Sequence, residues 1–244
     1  MRQNISLRKI LIYIFSVKGC MILEIDGEVS AKLPDLRLVF LQISGLKIGI
    51  NNDQITRLSE NVASEIIDSL DIDTVKDRED FRTYRDFFWK IGVDPTKTRP
   101  AAEALVRRIL KGSSIPRIND FVDAYNIASI ESSVPVAAFD IETLDDSMLL
   151  RFSREGERFI GIGMNDPKIL DQGKLVISSG EELVAIYPYR DAESSKITPE
   201  TEDAIIIACG VPGIEIKKLE YAATKCRDYI TRVCGGTASR IVVI

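Results

Sequence analysis

The sequence predicts an α+β fold, with helices packed on a mostly antiparallel or mixed sheet, and three observations carry that expectation. Helical periodicity is concentrated in the first half of the chain. Short apolar runs dominate from Val136 onward, and turn signals separate them. A doubly wound parallel sheet would instead alternate strands and helices along the whole length. The 244 residues are 45% hydrophobic and 28% charged, ordinary for a folded domain and enough to bury a sizeable core.

The apolar run Ile10 to Val17 is short for a signal-peptide core and far short of the roughly 20 residues that a membrane span needs. Met21 then opens a strand-like run. Translation is therefore expected to start there, with residues 1–20 as an extension outside the fold and residues 21–244 as one domain. Ile22 to Ile25 and Leu38 to Ile50 read as strands, interrupted by Gly27, Pro34 and Gly45. Asn52-Asp53 offers a helix cap, and Ile55, Leu58, Val62, Ile66 and Leu70 follow at helical spacing.

A second helix runs from about Asp77 to Ile91 and stops at Gly92, with Phe81, Tyr84, Phe87 or Phe88, and Ile91 inward. Its aromatic stripe reads as core, because base-stacking platforms usually sit on sheets or loops. Pro100 starts a third helix that Gly112 ends, and Asn119 caps a fourth containing Phe121, Val122, Tyr125 and Ile130. Strands are expected at Val136 to Phe139, Met148 to Phe152, Arg158 to Ile162, Lys174 to Ile177, Leu183 to Tyr187 and Ala204 to Cys209. A helix from about Ile216 to Val233 and a strand from Ile241 to Ile244 follow.

The net charge of -5 argues against holding nucleic acid by bulk charge. A local basic segment remains: Lys97, Arg99, Arg107, Arg108, Lys111 and Arg117 face only Glu103. It reads either as a solvated helix face or as a phosphate-contacting surface. Cys20, Cys209, Cys226 and Cys234 show no Cys-x-x-Cys spacing, so neither a zinc site nor a disulfide scaffold is expected, and a reducing cytoplasm fits best. The chain has no histidine, which excludes Ser-His-Asp and Cys-His machinery and any imidazole base. Chemistry here would rest on carboxylates, Lys, Tyr, backbone, water or the substrate, and no metal or cofactor is expected.

Phosphate-binding glycine loops fail: no Gly-x-x-x-x-Gly-Lys occurs, and Gly161-Ile-Gly163 reads as a turn. Asp145-Asp146 and Glu181-Glu182 read as solvent-facing turns. Two stretches remain, Tyr187 to Asp191 and Ser194 to Thr198 with Thr201. Their Arg, Lys and Thr side chains suit phosphate or carboxylate, although surface turns share this composition.

GVDPTKTRPAAEALVRRILKG (Gly92 to Gly112), PRINDFVDAYN (Pro116 to Asn126), PVAAFD (Pro135 to Asp140), REGE (Arg154 to Glu157) and YRDAESSKITPET (Tyr189 to Thr201) occur in one order. That order resembles standalone B3/B4-type proteins and, in the middle motifs, the tRNA-binding and editing (B3/B4) domain of the phenylalanyl-tRNA synthetase β subunit. The resemblance covers roughly residues 75 to 209, and more weakly 21 to 240. It implies a B3/B4-like fold with a pocket between helices and sheet, tRNA as partner through its aminoacyl end, and no membrane.

Carried over residue by residue, Asn126 falls on the family's pocket asparagine and Asp191 near its glycine-rich loop, which here lacks the glycines. Ala137 stands where the synthetase has histidine, and Ile207 where it has a glutamate that helps recognise a tyrosine hydroxyl. Tyrosyl-tRNA editing is thereby poorly supported. Two functions follow: a trans-acting aminoacyl-tRNA deacylase, or a non-catalytic binding module for tRNA or an amino-acid-like small molecule. An unrelated small-molecule enzyme on the same scaffold is a third. For the deacylase, Asn126 would orient the substrate, Arg190 and Lys196 would meet phosphate or carbonyl oxygens, Asp191 or Glu103 the α-ammonium, and Thr198 a water. Tyr125 and Ala137 would line the pocket, and Arg99, Arg107, Arg108, Lys111 and Arg117 would contact RNA. The three residues Asn126, Arg190 and Lys196 are expected to converge on one cavity.

Overall fold

The computed structural model describes residues 21–244, so the expected extension, residues 1–20, lies outside the described residues. Strand β1 (Ile22–Ile25) leads into a short helix, α1 (Gly27–Lys32), capped by the Asp26 carboxylate, which accepts from the Glu28 amide at 2.8 Å. The sequence reading missed this helix because Gly27 at its first position resembles a breaker. Strand β2 (Leu38–Ser44) ends earlier than expected, at Gly45, whose positive φ of 72° turns the chain out of the sheet.

Four helices follow, close to their expected bounds. In α2 (Asp53–Ser69) the Asn52 side chain accepts from Gln54 N. The next, α3 (Glu79–Lys90), buries Phe81, Tyr84, Phe87 and Phe88, so its aromatic stripe is core. Helix α4 (Ala101–Leu110) begins directly after Pro100. In α5 (Asp120–Ser132) the Asn119 cap accepts from Val122 N at 2.9 Å. Helix α5 is buried on almost every side. It lies at the centre of the helical layer, against α2, α4 and the later helix α6 (Ile216–Cys234).

The second half supplies β3 (Val136–Asp140), β4 (Ser147–Phe152), β5 (Glu157–Phe159), β6 (Lys168–Leu170), β7 (Leu175–Ser179) and β8 (Glu182–Ile186). Strands β9 (Arg190–Asp191), β10 (Asp203–Cys209), β11 (Thr237–Ala238) and β12 (Val242–Val243) complete it. One sheet has the order β1-β4-β7-β8-β9 and is parallel only between β1 and β4. The other has the order β11-β2-β10-β3, antiparallel throughout, with β12 also on β2. Strands β5 and β6 pair as a separate hairpin. The architecture is therefore α+β with mixed and antiparallel sheets. Among the described residues no helix is long and apolar enough to cross a membrane.

Strand β10 is the spine of the second sheet. It is apolar and buried on both faces from Ala204 to Cys209, as a central strand covered on both sides must be. Two buried phenols hold its end: Tyr84 Oη donates to Cys209 O at 2.8 Å, and Tyr187 Oη donates to Gly210 O. A Cβ on Gly210 would lie 2.2 Å from the Arg37 carbonyl oxygen and 2.5 Å from Leu219 Cδ1. Because one neighbour is backbone, it cannot rotate away. Gly210→Ala is expected to destabilise the fold by about 1–3 kcal/mol, the usual range for overpacking. An unchanged urea midpoint would contradict that close approach.

Candidate functional site

A small cavity of about 70 Å³ is lined by residues of β7, β8 and β9 from the first sheet and of β3 and β10 from the second. Cross-strand register fixes which side chains face it. Leu150, Ile177, Ala185 and Asp191 stand opposite one another across β4, β7, β8 and β9, forming one row on one face. Ile177, Ala185 and Asp191 of that row line the cavity, joined by Ala137 of β3, Cys209 of β10 and Ala101 at the start of α4. The walls are therefore mostly small or aliphatic, and the row ends on a carboxylate.

Asp191 is half-buried, and among the described residues its carboxylate accepts no hydrogen bond and joins no ion pair. Burial pushes its pKa up to about 7, against the pull of the neighbouring Arg190 charge. Nearby groups respond to it. Burial, and then the Asp191 charge, raise the Tyr125 phenol and the Cys209 thiol, so both stay protonated near neutrality. The Tyr125 ring meets Phe121, one turn earlier on α5, edge-on with centroids 6.1 Å apart. The Tyr189 ring at the cavity rim lies 5.8 Å from Phe88 of α3.

Of the residues expected to form the site, Ala137 and Asp191 line the cavity together with Arg190, and Tyr125 lies near enough to feel the Asp191 charge without lining it. Arg190 does not join them through its charged end. Successive residues of a strand point to opposite faces, and Arg190 belongs to the row Arg151, Val176, Ile186 and Arg190 on the far side of the sheet. Its guanidinium donates to Ile162 O at 3.3 Å in the loop after β5. Its stem crosses Gly161, where a Cβ would sit 2.6 Å from Arg190 Cγ, so a side chain there would have to displace the arginine.

The other expected polar partners are engaged elsewhere. Lys196 pairs with Glu193, which also accepts from Gly163 N at 3.3 Å. Thr198 belongs to a turn: its amide donates to Thr201 Oγ1 at 3.0 Å, its hydroxyl accepts from Glu200 N at 3.2 Å, and Thr201 donates to Asp140 at 2.7 Å. Glu103 is fully buried and accepts from Arg85 through both oxygens, at 3.1 and 3.2 Å, so it is unavailable to an α-ammonium. Asn126 is half-buried, and its amide has no hydrogen-bond partner among the described residues. The expected convergence of Asn126, Arg190 and Lys196 is not found: only Arg190 borders the cavity.

The basic segment divides in a similar way. Arg107 donates to Ile72 O at 3.1 Å, Arg108 to Ser114 O at 2.7 Å, and Arg117 bridges Asp123 and Thr56, each at 2.8 Å. These arginines brace the helix layer. Arg99 and Lys111 are exposed, with no such contact among the described residues. Sequence reasoning missed Ile177, Ala185 and Cys209, which carry no chemical signature and lie on three separate strands. Among the described residues no group of three or more His, Cys, Asp or Glu side chains is placed to hold a metal ion.

Among curated proteins, the phenylalanine–tRNA ligase beta subunit of Symbiobacterium thermophilum is 30% identical over 98 residues, covering 40% of this chain and 11% of that subunit. The corresponding subunit of Fusobacterium nucleatum is 24% identical over 143 residues, covering 59% of this chain and 18% of the subunit. The chain thus spans less than a fifth of these relatives' length. A solved N-terminal fragment of the phenylalanyl-tRNA synthetase beta-subunit from Pyrococcus horikoshii superposes with a TM-score of 0.49 at 12% identity, covering 93% of this chain and 52% of the fragment. The sequence profile of the B3/4 domain matches residues 83–235, well over half of the chain and from within α3 to just past α6, and this chain belongs to that B3/4 domain family.

Proposed function

We propose that the protein engages the aminoacyl end of tRNA and hydrolyses the aminoacyl ester in trans, with Asp191 as the proton acceptor. The observation that supports this reading is the Asp191 carboxylate itself. Among the described residues it has no hydrogen-bond or ion-pair partner, it ends an apolar row at a cavity, and its pKa near 7 suits a general base working close to neutral pH. The kinship with tRNA ligase beta subunits supplies the substrate class.

In this reading a water attacks the ester carbonyl while its proton passes to Asp191. As the tetrahedral intermediate collapses, the bond to the ribose oxygen breaks and that oxygen takes the proton back. The products are the free amino acid and uncharged tRNA, and Asp191 is regenerated. An aminoacyl ester is already reactive, so a positioned water and one base suffice without histidine. Asn126, half-buried one residue beyond Tyr125 and without a hydrogen-bond partner among the described residues, is the residue we assign to the substrate's polar atoms. Arg190, Arg99 and Lys111 are exposed and suit phosphates.

The test is ester loss from a panel of charged tRNAs. Faster loss than without protein is expected for at least one, and no acceleration for any would overturn the reading. Salt-dependent binding with no ester loss would indicate a binding module instead. Replacing Arg99 and Lys111 together by Ala is expected to reduce the slope of log K against log salt by roughly 1.5, the counterions of two phosphate contacts. An unchanged slope would remove these two cations from the RNA interface.

A further inference from the structure

We infer that the cavity beside Asp191 seats only small acyl side chains, alanyl or seryl in size, and shuts out phenylalanyl and tyrosyl groups. The inference rests on the proposed function for the position of the ester at Asp191, and adds which acyl groups the site accepts.

The cavity has a volume of about 70 Å³, whereas an engineered cavity that takes up benzene measures roughly 150 Å³. Its floor is Ala137, Ile177, Ala185 and Cys209, and cross-strand pairing sets Ala185 between Ile177 and Asp191. A side chain whose ester lies at Asp191 therefore enters over Ala185. The walls are held against retreat. Ala137 and Ala185 sit in paired strands, the Cys209 amide donates to Pro135 O at 2.9 Å, and the buried Tyr187 is tied to Gly210 O. At the rim the Tyr189 ring lies against the fully buried Phe88. Forcing a ring into such a space would require shifts of backbone and side chains together.

The polar lining accepts a small hydroxyl. The Tyr189 hydroxyl and the Asp191 carboxylate both line the cavity, and among the described residues neither group has a hydrogen-bond partner. Burial raises the Tyr189 phenol above its ordinary value, against the pull of the Arg190 charge, so it is a donor near neutrality. Arg190 also borders the cavity, but its guanidinium donates to Ile162 O. A seryl hydroxyl that loses its water on entry thus finds a partner in Tyr189.

The probes are adenosines carrying glycine, alanine, serine, phenylalanine or tyrosine through a non-hydrolysable 3′-amide, with binding measured by calorimetry. The matching charged tRNAs are assayed for ester loss in parallel. Alanyl is expected to bind about fourfold more tightly than glycyl, the worth of one buried methyl. Seryl should bind at least as tightly as alanyl, and phenylalanyl and tyrosyl not detectably. Ala185→Val fills the floor in a strand that suits valine, and should weaken alanyl and seryl binding roughly tenfold or more, with glycyl falling less. Ala137→Val fills the same space from β3 and serves if the first variant does not fold.

Phenylalanyl or tyrosyl bound as tightly as alanyl overturns the inference, even where ester loss is seen and the proposed hydrolysis stands. Selective binding of the small acyl groups without ester loss from any tRNA leaves the inference in place and overturns the hydrolysis. No binding by any analogue overturns the inference. So does unchanged alanyl binding in a valine variant whose fold is intact by thermal melting.

Discussion

Replacing Asp191 by Asn is expected to slow ester loss by roughly a hundred- to ten-thousandfold, the usual contribution of a general base. The substitution keeps the side chain's shape and its place in the row from Leu150 to Asp191, so the loss reports on proton acceptance. The wild-type rate should climb as pH rises through about 7, where the carboxyl ionises, and the Asn variant should be flat over that range. Stability should move the other way. The folded-state pKa of about 7 lies above the ordinary 3.8, because burial disfavours the charge. Its contribution to stability is therefore fully present below the unfolded pKa and is lost as pH rises from about 4 through about 7. Thermal melts should show Asp191→Asn gaining on the wild type between pH 5 and pH 8. An unchanged rate in a folded Asn variant would sink the proposed base. A variant that melts lower than wild type at pH 8, relative to pH 5, would contradict the raised pKa.

The second large effect is expected in the helical layer behind the cavity wall. Glu103 is fully buried on α4, and the partly exposed Arg85 of α3 holds it with a forked contact at 3.1 and 3.2 Å. Arg85→Met leaves that carboxylate buried without a counter-charge, and should cost about 3–5 kcal/mol in urea unfolding. Replacing both residues, Arg85→Met with Glu103→Leu, should recover most of the loss, since two apolar side chains of similar volume need no pairing. A single-variant loss below about 1 kcal/mol would mean that the pair is better solvated than its burial indicates. Glu103 lies two residues from Ala101, which lines the cavity, so the single variant should also loosen that wall and weaken substrate binding.

The helices were legible because their ends are written in side chains: Asn52 and Asn119 cap, Pro100 opens and Gly112 closes. Strand β10 was legible as an unbroken apolar run. Strands β6, β9 and β11 were not, since two or three residues leave no alternation to read. That gap carried through to the site. With 190–191 read as a loop, Arg190 and Asp191 looked like neighbours in function, whereas the pleat of β9 sends them to opposite faces. Glu103 illustrates another limit: it falls beside Ala102, Val106 and Ile109 on the buried side of α4, and only the arginine arriving from α3 explains a charge there. The cavity floor depends on β3, β7, β8 and β10 meeting in space, which no local pattern records.

The pairing of β2 with β10 has a consequence for how the protein is made. Leu38 to Ser44 find their partners in Asp203 to Cys209, roughly 160 residues later in the chain. At ribosomal speeds of 5–20 residues per second, β2 waits about 10–30 s in the nascent chain before that partner emerges. Throughout that interval Leu38, Val39, Leu41 and Ile43, all fully buried at the end, have no sheet to enter. The helical segment from Asp53 to Ser132 can gather in the meantime, but the open strand ahead of it is an invitation to chaperones and to aggregation.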